Sequence, residues 1–162
     1  MCYAMRNDDQ LLDETDQEIV RQLQQDGRRS YREMARSLDV SEGTVRWRVK
    51  RLQDTGALRI AAIADPFRLG YTVLASMFLR VSPGELERVI ETLVGWQEVV
   101  YVSSCTGRVD VYIQVVCRSH EDLWELVAQR IPAVGGVLET ETLMELKVHK
   151  LQYVYPGLDR GL

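Results

Sequence analysis

Residues 30–56, SYREMARSLDVSEGTVRWRVKRLQDTG, predict two short helices joined by a tight turn. Ser30 begins the first helix, because its spacing to Glu33 is that of a capping box. Ser41 is expected to cap the second helix, and Gly56 to end it. The apolar positions of the second helix recur at helical spacing and form one stripe, which consists of Val45, Val49 and Leu52. This pattern predicts a helix-turn-helix that reads DNA.

The face of the second helix opposite this stripe is strongly basic. At about 100° per residue, Gly43, Trp47 and Lys50 point away from the stripe. Side chains on this face and at the helix start would reach phosphates and base edges. The predicted DNA-binding residues are Ser41, Thr44, Arg46, Trp47, Arg48, Lys50 and Arg51. For Trp47, packing against another subunit is the alternative, and its position favours a base-edge or sugar contact.

Local charge supports the prediction of a DNA partner. The whole chain carries 20 basic and 24 acidic side chains, and this net charge of -4 alone argues against a polyanion. Residues 28–59, however, hold nine Lys or Arg and four Asp or Glu, a local net charge of +5. An ordinary solvated helix face is the alternative interpretation. The location of the charges on the second of two correctly spaced helices favours DNA contact.

Length and composition bound the class of protein. A chain of 162 residues with 46% hydrophobic content suggests one or two small domains. No apolar run approaches the roughly 20 residues of a membrane span, and the start MCYAMRNDDQ lacks the apolar core of a signal peptide. We therefore expect a cytoplasmic protein. Cys105 and Cys117 are expected on two strands of one hairpin, as small hydrophobic residues too far apart for a disulfide.

Turn-forming residues divide the chain into segments. They are a flexible extension (1–11), a helix-turn-helix domain (12–64), a linker (65–70), a second domain (71–153) and a C-terminal tail (154–162). The first domain gains a helix capped by Asp13 and a short strand at residues 58–64. Pro66 and Gly70 mark the linker DPFRLG as the boundary between the two domains.

The second domain shows the order strand, helix, strand, strand, helix, strand. The expected strands are residues 71–81, 99–105, 109–117 and 137–151. Pro83 is expected at the first position of one helix, and Ser119 is expected to cap the other. Gly107 closes the hairpin between the middle strands, and residues 132–136 turn the chain into the last strand. The predicted fold is therefore α+β, with a ferredoxin-like βαββαβ domain behind the helix-turn-helix.

The sheet of such a domain has helices on one face only, so the composition of the other face indicates whether a partner covers it. The third strand contributes Asp110, Tyr112, Gln114 and Val116 to that face. The first strand adds either Leu74 and Phe78 or Met77 and Leu79. A half-apolar, uncovered face is typical of a subunit interface, and we expect a dimer at least.

Several stretches of the chain, in their order, resemble the leucine-responsive/asparagine regulators of bacteria and archaea, the Lrp/AsnC family. They are LDETDQEIVRQLQQDGR, SEGTVRWRVKRLQDTGALR, DPFRLG, TGRVD and VLETET. The resemblance runs from about Leu12 to Tyr153. It implies an N-terminal DNA-binding domain and a C-terminal domain that dimerises, builds higher oligomers and binds small effectors such as amino acids between subunits. Relatives usually have a basic or small polar residue at the position of Trp47, and many have an aromatic residue at that of Val109.

The resemblance also implies an effector site near the hairpin and the last strand. It maps onto Gly107, Arg108, Asp110, Thr140 and Thr142. An amino acid needs an acceptor for its ammonium group, which Asp110 could provide, and donors for its carboxylate, which the Thr hydroxyls and the backbone around Gly107 could provide. Equally, Asp110 could hydrogen-bond the loop backbone, and alternate Thr residues are ordinary on a strand.

An enzymatic function is weighed against this regulatory one. Some proteins that resemble the family are sirohaem decarboxylases, which use His, Tyr and Arg near the hairpin strands, and residues 100–115 here contain no histidine. His120 and His149 lie at a helix start and in the last strand, where solvated or structural roles are usual. We expect no enzyme, cofactor or metal. We expect a regulator that binds double-stranded DNA and a small effector, and the alternative is an effector-independent DNA-organising protein.

Overall fold

The computed structural model describes residues 12–150, so the predictions for residues 1–11 and 151–162 lie outside the described residues. The chain divides into two compact units between Ala62 and Ile63, and each unit has its own apolar core. Across the described residues, no helix combines the length and the apolar character needed to cross a membrane.

The described part of the first unit contains three helices: α1 (Glu14–Gln25), α2 (Tyr31–Leu38) and α3 (Glu42–Asp54). The predicted caps are present at all three starts, because the side chains of Asp13, Ser30 and Ser41 each accept a backbone N–H of the first turn. Ser30 and Glu33 bond each other's backbone in a full capping box. The buried core is made of Ile19, Val20, Leu23, Met34, Ala35, Val45, Val49 and Leu52.

The predicted strand at residues 58–64 is wrong. Within the described part of the chain this segment pairs with no strand, and Ile60 and Ile63 are exposed. A strand needs a neighbour for its backbone groups, and apolar composition alone does not supply one. The linker is more ordered than expected, because Pro66–Leu69 forms a short 3-10 helix that Asp65 caps.

The second unit contains a four-stranded antiparallel sheet. Its strands are β1 (Val73–Val81), β2 (Val99–Ser104), β3 (Val111–Cys117) and β4 (Val137–Met144), in the order β2-β3-β1-β4. Helix α4 (Leu86–Val94) connects β1 to β2. Between β3 and β4, α5 (His120–Glu125) continues through a π-helical turn, Leu126–Arg130, into the short α6 (Ile131–Ala133). The ferredoxin-like βαββαβ order is confirmed.

Alternate residues of the two central strands build the core under the helices. Met77 and Leu79 are fully buried there, so Leu74 and Phe78 are the residues of β1 that lie on the opposite, open face. The core side of β3 is formed by Val111, Ile113, Val115 and Cys117. Helices α4 to α6 supply Val89, Leu93, Leu126 and Ile131 to the same core.

Several predicted boundaries are corrected by the structure. Helix α4 begins at Leu86, because the residues around Pro83 form a turn in which Glu85 N donates to Ser82 O at 3.1 Å and Gly84 has φ 85. Strand β4 ends at Met144, close to the point where its partner β1 begins. Cys105 lies exposed in the hairpin loop and not on a strand.

Candidate nucleic-acid interface and effector region

Helix α3 presents the face that the sequence predicted for DNA. Its start is tied by Ser41, whose Oγ accepts from Thr44 N at 3.0 Å and lies 2.8 Å from Thr44 Oγ1. Because Val45, Val49 and Leu52 are buried, the opposite side of the helix faces solvent. Trp47 is 59% exposed on that side, and Ser41, Arg46 and Lys50 are exposed as well.

Two arginines of this face contact aromatic rings. The Arg51 guanidinium lies 5.1 Å from the centroid of the Trp47 ring, and that of Arg46 lies 5.3 Å from the centroid of Tyr31. Arg46 also pairs with Glu42 at 2.8 Å. These cation–π contacts restrict two long side chains and one exposed ring before any ligand arrives.

Arg48 and Arg51 have acidic partners that sequence reasoning missed. Arg48 Nη1 donates to Asp13 Oδ2 at 2.6 Å and to Asp16 Oδ1 at 2.9 Å, and Arg51 Nη2 donates to Asp16 Oδ2. The Arg48 side chain is only 21% exposed, and that of Asp16 is 2% exposed. The only sequence signal was the pair of aspartates three residues apart at the start of α1. Whether Arg48 and Arg51 also contact DNA stays a prediction.

The electrostatics of this cluster follow from its geometry. The hydrogen bond from Arg48 lowers the pKa of Asp13, with the backbone N–H of Asp16 adding to the effect. Reciprocally, the bonds to Asp13 and Asp16 raise the pKa of Arg48. The charged forms of Asp13 and Arg48 are therefore stabilised together, and part of the positive charge of α3 is balanced within the domain.

In the hairpin loop, the carboxylate and N–H of Asp110 bond the neighbouring strand β1, while its carbonyl O accepts from Cys105 N of the same loop at 2.8 Å. Asp110 Oδ2 accepts from Val81 N at 2.8 Å, and Asp110 N donates to Leu79 O at 2.9 Å. Gly107 has φ 121, as a tight turn requires of this position. The Arg108 side chain extends into solvent, with Nη2 3.9 Å from Glu141 Oε2 on β4.

Thr140 and Thr142 lie on the helix-covered side of β4. In the register of the sheet they stand opposite Leu79 and Met77, both core residues. Asp110 and Thr140 therefore both neighbour Leu79 of β1, one on each side of that strand. The Thr142 hydroxyl is buried without a hydrogen-bond partner among the described residues. Arg108 is closest to Glu141, which belongs to the other face of the sheet.

The described residues contain no cluster of possible metal ligands. Over residues 12–150, no group of three or more His, Cys, Asp or Glu side chains is arranged to hold a metal ion. The chain carries two separate candidate regions, a basic, aromatic helix face in the first unit and a polar loop region in the second.

Comparison with known proteins covers both units. Residues 12–53 match the AsnC-type helix-turn-helix domain, and residues 74–155 match the Lrp/AsnC ligand binding domain. An HTH-type transcriptional regulator of Pyrococcus furiosus is 39% identical over 88% of this chain and 97% of its own length. The regulatory protein AsnC of Haemophilus influenzae is 31% identical over 90% of this chain and 98% of its own.

A solved structure agrees with these sequence matches. That of Escherichia coli AsnC superimposes with a TM-score of 0.80 and 27% identity, covering 90% of this chain and 99% of the other. The relatives found by sequence are named as transcriptional regulators. This chain, with its helix-turn-helix domain followed by a ligand-binding domain, belongs to the Lrp/AsnC family of transcriptional regulators.

Proposed function

We propose that the protein binds specific sequences of duplex DNA as a dimer, through α3, and that an amino acid or related small metabolite bound to its second unit modulates this binding. The observation that carries the proposal is the exposed face of α3, where Trp47 and Lys50 project opposite the buried stripe. Such a helix fits the major groove of B-DNA.

The side chains of α3 divide between positioning and reading. Ser41 and Thr44 lie at the helix start, where hydroxyls and backbone N–H groups meet phosphate oxygens. Arg46 and Lys50 are exposed cations beside them, suited to backbone phosphates. Trp47 offers an apolar ring to base edges and thymine methyl groups, so it contributes to sequence preference.

The open face of the second unit is the proposed dimer surface. Helices α4 to α6 pack on the other side of the sheet, and the open side carries a row of aromatic residues. The Phe78 and Tyr112 ring centroids lie 5.2 Å apart, and those of Tyr101 and Tyr112 lie 5.6 Å apart. A second copy of this sheet would cover these rings, and the resulting dimer would carry two α3 helices.

The effector is proposed to bind around Gly107, Arg108, Asp110, Thr140 and Thr142. The exposed Arg108 guanidinium could receive a carboxylate, and Asp110 or Glu141 an ammonium group. The unpaired Thr142 hydroxyl lies on the helix-covered side of β4, so it is a donor for a ligand group that reaches that side of the sheet and not the face of Arg108 and Glu141. A ligand changes assembly, and hence DNA affinity, only if it binds one oligomeric arrangement better than another.

Selection of bound duplexes from a random pool tests the DNA-binding proposal, with and without a mixture of the common amino acids. We expect pseudo-palindromic sites whose half-sites are separated by about one helical turn or a multiple of it. The amino acids should change the yield or the affinity of these sites. Binding without any sequence enrichment and without response to amino acids would instead identify a DNA-organising protein.

Calorimetric titration of the protein with each amino acid tests the effector separately. Asp110→Ala should abolish the response to the amino acid. Arg108→Ala is tested as a second variant, because Asp110→Ala also removes the bond from Asp110 to the backbone of β1. Both variants should bind DNA like the parent when no ligand is present. The absence of heat and of any change in oligomer size with every amino acid would contradict the effector proposal.

A further inference from the structure

We propose that Asp16 is a positioning residue for DNA recognition: it holds Arg51 against the Trp47 ring and Arg48 against α1, and so favours sequence-dependent over indiscriminate binding. The proposal rests on the DNA binding by α3 proposed above. It concerns a residue of α1, outside the recognition helix itself.

The first step is the geometry of the carboxylate. Asp16 is 1% exposed, and its two oxygens serve different arginines, Oδ1 for Arg48 and Oδ2 for Arg51. Its own backbone N–H donates to Asp13 Oδ1 at 2.8 Å, and Asp13 binds Arg48 in turn. Because the buried carboxylate binds both guanidinium groups and the backbone of Asp16 is itself bonded, the two guanidinium groups have little freedom.

The second step connects this carboxylate to the reading surface. The Arg51 guanidinium that Asp16 binds lies 5.1 Å from the centroid of the exposed Trp47 ring. A cation–π contact at an exposed site is weak when both side chains are mobile. With Arg51 fixed from below by Asp16, the ring is oriented before DNA arrives, and less ordering remains to be done on binding.

The third step concerns charge. Each arginine that reaches a phosphate releases counterions and adds about one unit to the salt dependence of binding, whatever the DNA sequence. Asp16 keeps Arg48 and Arg51 paired within the domain, so these cations contribute less to sequence-independent affinity. Removing its charge should release Arg51 toward phosphates, whereas Asp13 still binds Arg48.

Asp16→Asn is the direct test, because it removes the charge and keeps the size of the side chain. The probes are the duplex that the parent enriches from a random pool and poly(dI-dC) as non-specific DNA. We expect Asp16→Asn to bind poly(dI-dC) more tightly, with a log–log salt slope steeper by about one, and to lose roughly tenfold in its preference for the enriched duplex.

Glu18→Gln is the matched control. Glu18 lies on the same helix and pairs with Arg21 and Gln22, so the substitution makes the same change in net charge without touching Asp16. Its salt slope and preference should equal those of the parent. A folded Asp16→Asn protein that also matches the parent in both quantities would overturn the proposal.

A measurement without DNA separates this proposal from the function on which it rests. In protein labelled with 5-fluorotryptophan, with resonances assigned through Trp47→Phe, Asp16→Asn should shift the Trp47 resonance and leave those of Trp96 and Trp124 unchanged. An unshifted Trp47 resonance refutes positioning even if the parent binds DNA. A parent that binds neither duplex refutes the proposed function, and the resonance still decides the role of Asp16.

Asp13→Asn covers the case in which Asp16→Asn fails to fold. Asparagine caps a helix as well as aspartate, and the Asp13 side chain is 53% exposed, so this variant should keep the fold while it weakens the hold on Arg48. The salt slope on poly(dI-dC) should steepen by less than one. An unchanged slope in this variant would contradict the restraint of Arg48 by the aspartates.

Discussion

The side chain of Arg48 connects two helices of the first unit. Its guanidinium joins α3 to the first turn of α1 through Asp13 and the buried Asp16, and its Nε is buried without a hydrogen-bond partner among the described residues. The ion pairs of Arg48 with the two carboxylates offset the free-energy cost of burying this unpaired N–H. Its contribution to stability is therefore larger than that of an ordinary surface ion pair.

We predict that Arg48→Ala lowers the free energy of unfolding by about 1 to 3 kcal/mol, because Asp16 stays buried with only Arg51 as its charged partner. Urea denaturation followed by circular dichroism measures the change. Lys50→Ala, on the exposed side of the same helix, should leave stability within about 0.5 kcal/mol of the parent. Equal stability of parent and Arg48→Ala would show that the ion pairs contribute nothing to folding.

At the scale of the element, different side chains of α3 are expected to recognise base edges and to bind phosphates. Trp47→Ala should change the order in which different duplexes are preferred, because it removes the apolar contact to base edges. Lys50→Ala should weaken binding to all duplexes by a similar factor and reduce the salt slope by about one. Titration of both variants with two selected duplexes at two salt concentrations checks this. Parent-like binding by both variants would mean that α3 does not face DNA.

A second element-scale contact joins the start of β2 to the π-helical turn. Arg130 Nη1 bonds Glu98 Oε1 at 2.8 Å, and its guanidinium lies 4.4 Å from the centroid of the Trp96 ring. The hydrogen bond from Arg130 lowers the pKa of Glu98 below its ordinary value of 4.5. A lowered folded-state pKa means that this stabilisation is present above the unfolded-state pKa and is lost as the pH falls through the folded-state value.

We therefore predict that Glu98→Gln is less stable than the parent at pH 6 to 7, by up to about 1 kcal/mol because the pair is about one-third exposed. The difference should shrink below about pH 4, as Glu98 becomes protonated in the folded parent. Urea denaturation across this pH range measures it. Glu91→Gln, an exposed acid on α4, should show no such pH-dependent difference. A constant difference for Glu98→Gln would exclude the ion pair as its cause.

At the scale of the whole molecule, the open sheet face is the proposed dimer surface. Phe78→Glu places a charge among the stacked rings, where a partner sheet would desolvate it in both subunits. We predict at least about a 100-fold rise in the dimer dissociation constant, measured by analytical ultracentrifugation. DNA affinity should fall with it, because one α3 no longer raises the effective concentration of the other.

Trp124→Glu provides the control for this substitution. Trp124 is a large exposed hydrophobic residue on α5, which belongs to the helix side of the second unit. The substitution Trp124→Glu should therefore leave the dimer intact. Dissociation by Trp124→Glu, with a stable Phe78→Glu dimer, would place the interface on the helices.

Local chemistry made the helix-turn-helix and the order of the second unit predictable from the sequence alone. Ser30 and Ser41 each bond a residue three positions further along the chain, and the stripe of α3 and the alternation along β3 need no distant partner to be recognised. Only the tertiary structure decided the rest. Strand β1 carries large apolar residues on both faces, and its pairing in the sheet decided that Met77, not Phe78, lies in the core. Residues 58–64 have the composition of a strand, but residues 12–150 contain no strand that pairs with them. Asp16 meets Arg51 across 35 positions of sequence because two separately specified helices pack together, and no local pattern contains that distance.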